Sequence, residues 1–240
     1  MIGRAISGTA TINYEVVGDS SEALVFLHGN GESKEIFKDI INAYSKDYKL
    51  ILIDSRGHGG SSFGKEKLRL GQMAKDVIKV MDDEKVHKAS FIGFSDGANI
   101  ALTLARDYSS RVRCMVIVGG NSQPTHLLWY YYAWLRIKYL ALGCVAMFRK
   151  PREARKLLAL MIYEPNITKE ELNLIKTPTM VVAGQKDFCI SIGHSKYLVA
   201  NIRNAKLNFI LGAPHMAFKG YEEKFNAVVL PFLLAHKKEA

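Results

Sequence analysis

The chain has 240 residues, 48% apolar and 23% charged, which is enough for one sizeable α/β domain and excludes disordered and fibrous classes. The 33 basic residues outnumber the 23 acidic ones and give a net charge of +10. Such a charge suits an anionic partner, but no nucleic-acid-binding motif accompanies it. We therefore expect a small-molecule substrate and no nucleic-acid partner.

The cysteines and the first residues of the chain indicate the cellular compartment of the protein. Cys114, Cys144 and Cys189 are widely spaced and form no C-x-x-C pair, so we expect free thiols in a reducing environment. The first residues lack the apolar stretch of a signal peptide. Both features favour a cytoplasmic protein.

Strand-like and helical patterns alternate along most of the chain. Short apolar or alternating runs predict strands, the first two as a hairpin at the sheet edge, and apolar residues three and four apart predict helices. The predicted strands are 3–7, 10–17, 23–27, 49–53, 89–94, 112–118, 179–183 and 204–211. The predicted helices include 33–44, 70–81, the segment after Ser95, 168–175 and 221–236.

A serine occupies the junction between a predicted strand and a predicted helix, in Gly93-Phe94-Ser95-Asp96-Gly97. A tight turn there would expose the hydroxyl to a base, and glycines two residues before and after would relieve crowding. The amide of Asp96 would point toward an oxyanion forming beside Ser95. This pattern predicts a nucleophilic serine.

An acid and a histidine follow the last two predicted strands. One strand leads into Gly184-Gln185-Lys186-Asp187 and the other into Gly212-Ala213-Pro214-His215. Serine, acid and histidine in this chain order are the arrangement of an α/β-hydrolase.

The chain resembles the α/β-hydrolase superfamily, in its serine-nucleophile branch of carboxylesterase and lipase-like enzymes. The motifs in register are HGNGES (28–33), DSRGHGGS (54–61), GFSDG (93–97), AGQKD (183–187) and APH (213–215). The resemblance implies an α/β fold with an eight-stranded, mostly parallel sheet flanked by helices. It also implies a catalytic triad of Ser95, Asp187 and His215, with the backbone amides of Asn30 and Asp96 as the oxyanion hole.

Two other histidines are interpreted as structural. His58 lies in a glycine-rich turn, and His194 has no strand-end position and is expected on the surface of a helix.

The alternation breaks between residues 121 and 168. The run LLWYYYAWLRIKYLALGCVAMF at 127–148 is mostly apolar, but Arg136 and Lys138 near its centre oppose a membrane span. We predict a helical cap at 121–168, inserted after the sixth strand of a core formed by 1–120 and 169–240. Four of its aromatic residues are predicted to line an apolar substrate pocket: Trp129, Tyr130, Tyr132 and Trp134.

The predicted cap is also basic, with seven cations against two carboxylates. A basic, aromatic segment can lie on an anionic membrane surface. Packing on its own domain is the favoured interpretation, so membrane contact is kept as an alternative.

These features predict a serine hydrolase that cleaves carboxylic ester or related acyl bonds of small, apolar substrates by acyl transfer. No cofactor or metal is expected, because no His-Glu cluster has ligand spacing. Serine at position 95, where related dehalogenases and epoxide hydrolases carry aspartate, disfavours those chemistries. Two alternatives stay open: a carbon-carbon bond hydrolase of a ring-cleavage product, and a non-catalytic, ligand-binding relative.

Overall fold

The computed structural model describes residues 1–145 and 149–237, without the side chains of Arg149 and Lys150. The last three residues of the predicted apolar run, Ala146, Met147 and Phe148, lie outside the described residues.

Eight strands form one sheet, as predicted. They are β1 (Ile2–Ser7), β2 (Ala10–Val17), β3 (Ala23–Leu27), β4 (Lys49–Ile53), β5 (Ala89–Phe94), β6 (Val112–Val118), β7 (Thr179–Gly184) and β8 (Ala205–Ile210). Their spatial order is β1-β2-β4-β3-β5-β6-β7-β8. The β1–β2 and β2–β4 pairs are antiparallel and the others parallel, which confirms the predicted edge hairpin and mostly parallel sheet.

Helices cover both faces of the sheet. They are α1 (Leu70–Asp83), α2 (Asp96–Asp107), α3 (Trp129–Cys144), α4 (Arg149–Tyr163), α5 (Lys169–Leu174), α6 (Ile192–Asn201) and α7 (Glu222–Ala235). One core cluster packs α1, α2, α5 and α6 on one face. A second places α7 and residues 37–48 on the other. The central strands are therefore buried on both sides, as their continuous apolar runs predict.

The prediction of one helix over residues 33–44 is wrong. The structure has two 3₁₀ turns there, Lys34–Phe37 and Ile41–Ala43. Phe37, Ile40 and Tyr44 are buried as their spacing predicts. Apolar spacing of three and four residues is met by short 3₁₀ turns as well as by an α-helix, so the pattern alone did not distinguish them.

Helices α3 and α4 lie between β6 and β7 and pack against each other. Leu135, Leu158 and Ile162 form the buried centre of this pair, with Cys189 and Ile190 from the core side. We propose that residues 121–168, called the cap below, form a unit separate from the core at 1–120 and 169–240.

A buried ion pair ties the edge hairpin to the first helix. Arg56 is fully buried, and its guanidinium donates to both oxygens of Asp76 in α1, at 2.8 and 2.7 Å. It also donates to Glu66 at 2.6 Å and to the carbonyl of Ser7 in β1 at 3.1 Å. Because Arg56 stays charged in any protein, its burial depends on these acceptors.

Asp76→Ala is expected to lower the free energy of unfolding by about 3–5 kcal/mol, because it leaves the Arg56 guanidinium buried without its main partner. Urea unfolding measures this. The matched control is Asp82→Ala, which removes a solvent-exposed Asp–Arg pair with Arg111 and should cost less than about 1 kcal/mol. Equal losses in the two variants would contradict the importance of the buried pair.

Candidate active site

Ser95 lies at the corner between β5 and α2 with an unusual backbone conformation. Its φ is 52° and its ψ −118°, a combination that a non-glycine residue rarely adopts. The Ser95 amide donates to the carbonyl of Val118 in β6 at 2.8 Å, and this bond holds the corner on the neighbouring strand. Ser95 is partly exposed, as the sequence pattern predicts for a nucleophile at this corner.

The glycines on either side of Ser95 allow close backbone approach. A Cβ at Gly93 would lie 2.4 Å from the carbonyl oxygen of Gly97, and a Cβ at Gly97 would lie 2.0 Å from that of Leu27 in β3. Neither contact is possible for a real side chain. The predicted reason for these glycines, relief of crowding at the turn, agrees with this geometry.

His215 and Asp187 are joined by a hydrogen bond. His215 Nδ1 lies 2.8 Å from Asp187 Oδ2, with the carboxylate almost completely buried. The other oxygen, Oδ1, accepts from the backbone amides of Cys189 at 2.7 Å and Ile190 at 2.9 Å. The carboxylate is thus oriented from both sides, which positions the imidazole by one of its nitrogens.

Ser95 and His215 line the same narrow cavity. Among the hydrogen bonds of the described residues, none joins the Ser95 hydroxyl to His215. Such bonds are often long in unliganded sites and shorten when substrate is present. The structure therefore brings the three predicted residues to one place, with the Asp187–His215 pair already formed.

The four aromatic residues predicted to line the pocket do not line this cavity. Its cap side contains Tyr131, Leu127 and Met161 instead, and its core side includes Ile190. Trp129, Tyr130 and Trp134 are exposed on the outer face of α3, and Tyr132 packs within the cap. Because α3 is apolar on nearly every side, its sequence held no polar face from which to predict its rotation.

Asp96 lines the cavity, and the sequence analysis overlooked its carboxylate. Its carboxylate accepts from Asn30 Nδ2 at 2.9 Å and from Asn99 Nδ2 at 3.4 Å. Burial, the main cause, raises its pKa to about 6, and these two hydrogen bonds act in the opposite direction. A charged residue inside the GFSDG motif was the available signal.

Asn30 lies next to this carboxylate. Its side chain also donates to the carbonyl of Leu157 in α4 at 3.0 Å, so it links the loop after β3 to the cap. The backbone hydrogen bonds found in the described part of the chain use neither the Asn30 amide nor the Asp96 amide. Both amides stay candidates for the oxyanion hole, and the Asp96 amide belongs to a residue that lines the cavity.

Glu164 is a second carboxylate in the cavity lining that the sequence analysis missed. One oxygen accepts from the amide of Leu70, the first residue of α1, at 2.5 Å. Burial raises the Glu164 pKa, while this hydrogen bond and nearby Arg69 and Arg106 lower it. The cavity lining contains these acids and no lysine or arginine in the part of the chain that the structure describes.

Asp187, Cys189 and His215 offer ligand atoms that all lie within 4.8 Å of one another, so they are the group to test as a metal site. The Asp187 carboxylate already has acceptor bonds to His215 and to two amides. Burial raises the pKa of the Cys189 thiol to about 12, which disfavours the thiolate that binds metals. The arrangement fits a triad better than a metal centre.

The other histidines near the sheet edge serve packing. His28 accepts from the amide of Ser55 at 2.9 Å, and burial lowers its pKa to about 4. His58 Nδ1 lies 3.0 Å from the carbonyl of Arg56, and burial lowers its pKa too. His194 is buried and stacks on His126 at 4.4 Å, so the prediction of a surface position was wrong.

Comparison with known proteins places this chain in a family. The model of the alpha/beta hydrolase fold matches residues 22–141. The chain belongs to the alpha/beta hydrolase family. The resemblance and the fold class predicted from the motifs are both confirmed.

Individual relatives of this alpha/beta hydrolase are named as hydrolases. Serine hydrolase BPHL of Mus musculus is 26% identical over 92% of this chain and 82% of that protein. A 2-hydroxy-6-oxononadienedioate/2-hydroxy-6-oxononatrienedioate hydrolase of Burkholderia vietnamiensis is 26% identical over 92% and 90%. A thermophilic esterase from Thermogutta terrifontis superposes with a TM-score of 0.83 over 99% of this chain and 100% of that one, at 17% identity, which shows the shared fold. The first two relatives support hydrolase activity.

None of the helices in residues 1–145 and 149–237 is both long and apolar enough to cross a membrane.

Gly97→Ala in this alpha/beta hydrolase is expected to lower the free energy of unfolding by at least about 2 kcal/mol, because its Cβ would overlap a backbone carbonyl. Urea unfolding is the measurement. Gly71→Ala is the matched control, because a Cβ there meets nothing within 4 Å and position 71 lies in α1, where alanine stabilises by up to about 1 kcal/mol. A similar effect at both positions would refute the close approach at the elbow.

Proposed function

We propose that this hydrolase cleaves carboxylic esters by acyl transfer, with Ser95 as nucleophile. The observation that carries the proposal is the cavity shared by Ser95, on its strained corner, and His215, held by a buried Asp187. A serine hydroxyl is a weak nucleophile unless a positioned base removes its proton, and this cavity contains both groups.

In the proposed reaction, His215 takes the Ser95 proton as the hydroxyl attacks the ester carbonyl, and later returns it to the leaving alcohol. Asp187 holds the imidazole through Nδ1 and stabilises its protonated form. The amides of Asp96 and Asn30 would donate to the oxyanion, where each donor typically contributes about 2.7–4 kcal/mol. Water, activated by His215, then releases the acid.

The cavity favours a small acyl group that is neutral or cationic. Leu127, Tyr131, Met161 and Ile190 give it apolar walls and little room. Asp96 and Glu164 place two carboxylates there, and a carboxylate on the substrate would meet both in surroundings of low dielectric constant.

The same acids argue against the carbon-carbon hydrolase alternative. The substrate named for the Burkholderia vietnamiensis relative is a dioate, and it would need cations near the nucleophile. Among the cap cations whose side chains the structure describes, none lines this cavity. Ester hydrolysis is therefore the better proposal.

Ser95→Ala tests the nucleophile. The wild-type protein should be labelled by a fluorophosphonate probe at Ser95 alone, as located by mass spectrometry, and the variant should show no labelling. Turnover of a short-chain ester should fall by a factor of roughly 10⁴ or more. Folded wild-type protein that resists the probe would favour the non-catalytic alternative.

A series of ethyl esters with acyl groups of matched size tests the acidic cavity. We expect kcat/KM to decrease in the order β-alanine, butyrate, succinate, with Asp96→Asn reducing the preference for β-alanine over butyrate by about tenfold or more. Because the Asp96 pKa is raised to about 6, its carboxylate ionises as pH rises through that value, and the preference should rise with it.

Comparing two substrates at each pH removes the shared dependence on His215. Asp107→Asn, at the exposed end of the same helix, is the control and should leave the preference unchanged. A preference that Asp96→Asn does not alter would contradict a role for this carboxylate in substrate choice.

A further inference from the structure

The outer face of α3 is an exposed row of apolar side chains. Trp129, Tyr130, Trp134, Ile137 and Leu140, here called the apolar stripe, recur at steps of one, three and four residues. Trp129 is 79% exposed, Ile137 67% and Leu140 66%. The opposite face of the helix, around the buried Leu135, packs within the cap.

A helix that is apolar all round is normally buried on all sides. The five side chains of the apolar stripe are between 47% and 79% exposed, so water contacts several large side chains in one row. Contiguous exposed apolar surface of this kind marks an interaction site in a soluble domain.

The charges beside the apolar stripe indicate what kind of surface could bind there. Helix α3 contains Arg136 and Lys138 and no carboxylate. Both cations are exposed beside the apolar stripe, and Lys138 Nζ lies 4.8 Å from the centre of the Trp134 ring. Tryptophan and tyrosine are suited to the boundary between apolar and aqueous phases, and long basic side chains reach from there to phosphate groups.

We propose that the apolar stripe docks on an anionic lipid surface, lying in the headgroup region without crossing the bilayer. A second copy of the chain would be a poorer partner. Symmetric pairing through α3 would bring Arg136 and Lys138 of both copies together with no carboxylate on the helix to neutralise them. Anionic headgroups supply the missing negative charge.

The apolar stripe is continuous with the surface beside the catalytic pair. Tyr130 Oη donates to the carbonyl of Phe188 at 3.1 Å. Phe188 is 53% exposed, and its ring centre lies 6.2 Å from that of His215. A lipid surface that covers the stripe would therefore lie close to the catalytic cavity.

Vesicle flotation of the 240-residue chain tests the proposal. Wild type should float with vesicles of phosphatidylcholine and phosphatidylglycerol, less so at high salt, and should stay behind with phosphatidylcholine alone. Ile137→Ser combined with Leu140→Ser should weaken binding by about tenfold or more, because two exposed apolar side chains no longer insert. Arg136→Gln combined with Lys138→Gln should weaken it by a similar factor.

The matched control is Ile2→Ser combined with Leu174→Ser, which removes two similarly exposed side chains outside the cap and should not alter binding. Ser95→Ala should bind vesicles as wild type does, so this test does not depend on the proposed hydrolysis. Thermal unfolding checks that each variant is folded.

Three results would overturn the proposal. Failure of the wild type to bind anionic vesicles would exclude the stripe as a lipid contact. A folded Ile137→Ser, Leu140→Ser variant that binds these vesicles as well as wild type would exclude it too. Sedimentation showing a wild-type dimer that this variant loses would assign the stripe to a second copy of the chain.

Discussion

The backbone of Ser95 is the constraint on which the site depends. A residue with φ of 52° does not hold this conformation alone; the surrounding elements must impose it. Strand β5 runs between β3 and β6, and the Ser95 amide is bound to Val118. Helix α2 begins so close to β3 that only glycine fits at position 97. The central sheet and α2 must therefore be packed before the hydroxyl can point into the cavity.

The other two members of the proposed triad come from distant parts of the chain, and they meet because parallel strands end at one edge of the sheet. Asp187 follows β7 and His215 follows β8, and these strands are neighbours. Amides of the loop after Asp187 fix its carboxylate, so the orientation of His215 is determined by backbone rather than by other flexible side chains. Such rigid support keeps a catalytic group within the narrow geometry that proton transfer needs.

Much of this arrangement could be predicted because each part has a local signal. Continuous apolar runs marked the buried strands, and the turn motifs after them placed Ser95, Asp187 and His215 at one sheet edge. Their catalytic roles stay predictions, as does the division into cap and core. Which side of α3 packs against the protein could not be predicted. Aromatic residues lie on all sides of this helix, so its orientation about its own axis depends on tertiary packing. The carboxylate of Asp96 was also overlooked. The elbow motif predicts a role for the backbone amide of this residue and none for its side chain.

The surface of this protein is basic, whereas the lining of the cavity beside Ser95 is acidic. The chain carries +10 overall, and its cap is basic, which taken alone would indicate anionic substrates. The cavity beside Ser95 nevertheless holds two carboxylates, and no lysine or arginine is among its described lining residues. Surface charges are screened over roughly 8 Å at physiological salt, whereas charges in a narrow, buried cavity interact strongly at short range. In the proposed function, the choice of substrate follows Asp96 and Glu164, and in the proposed lipid contact the exposed cations of α3 bind anionic headgroups.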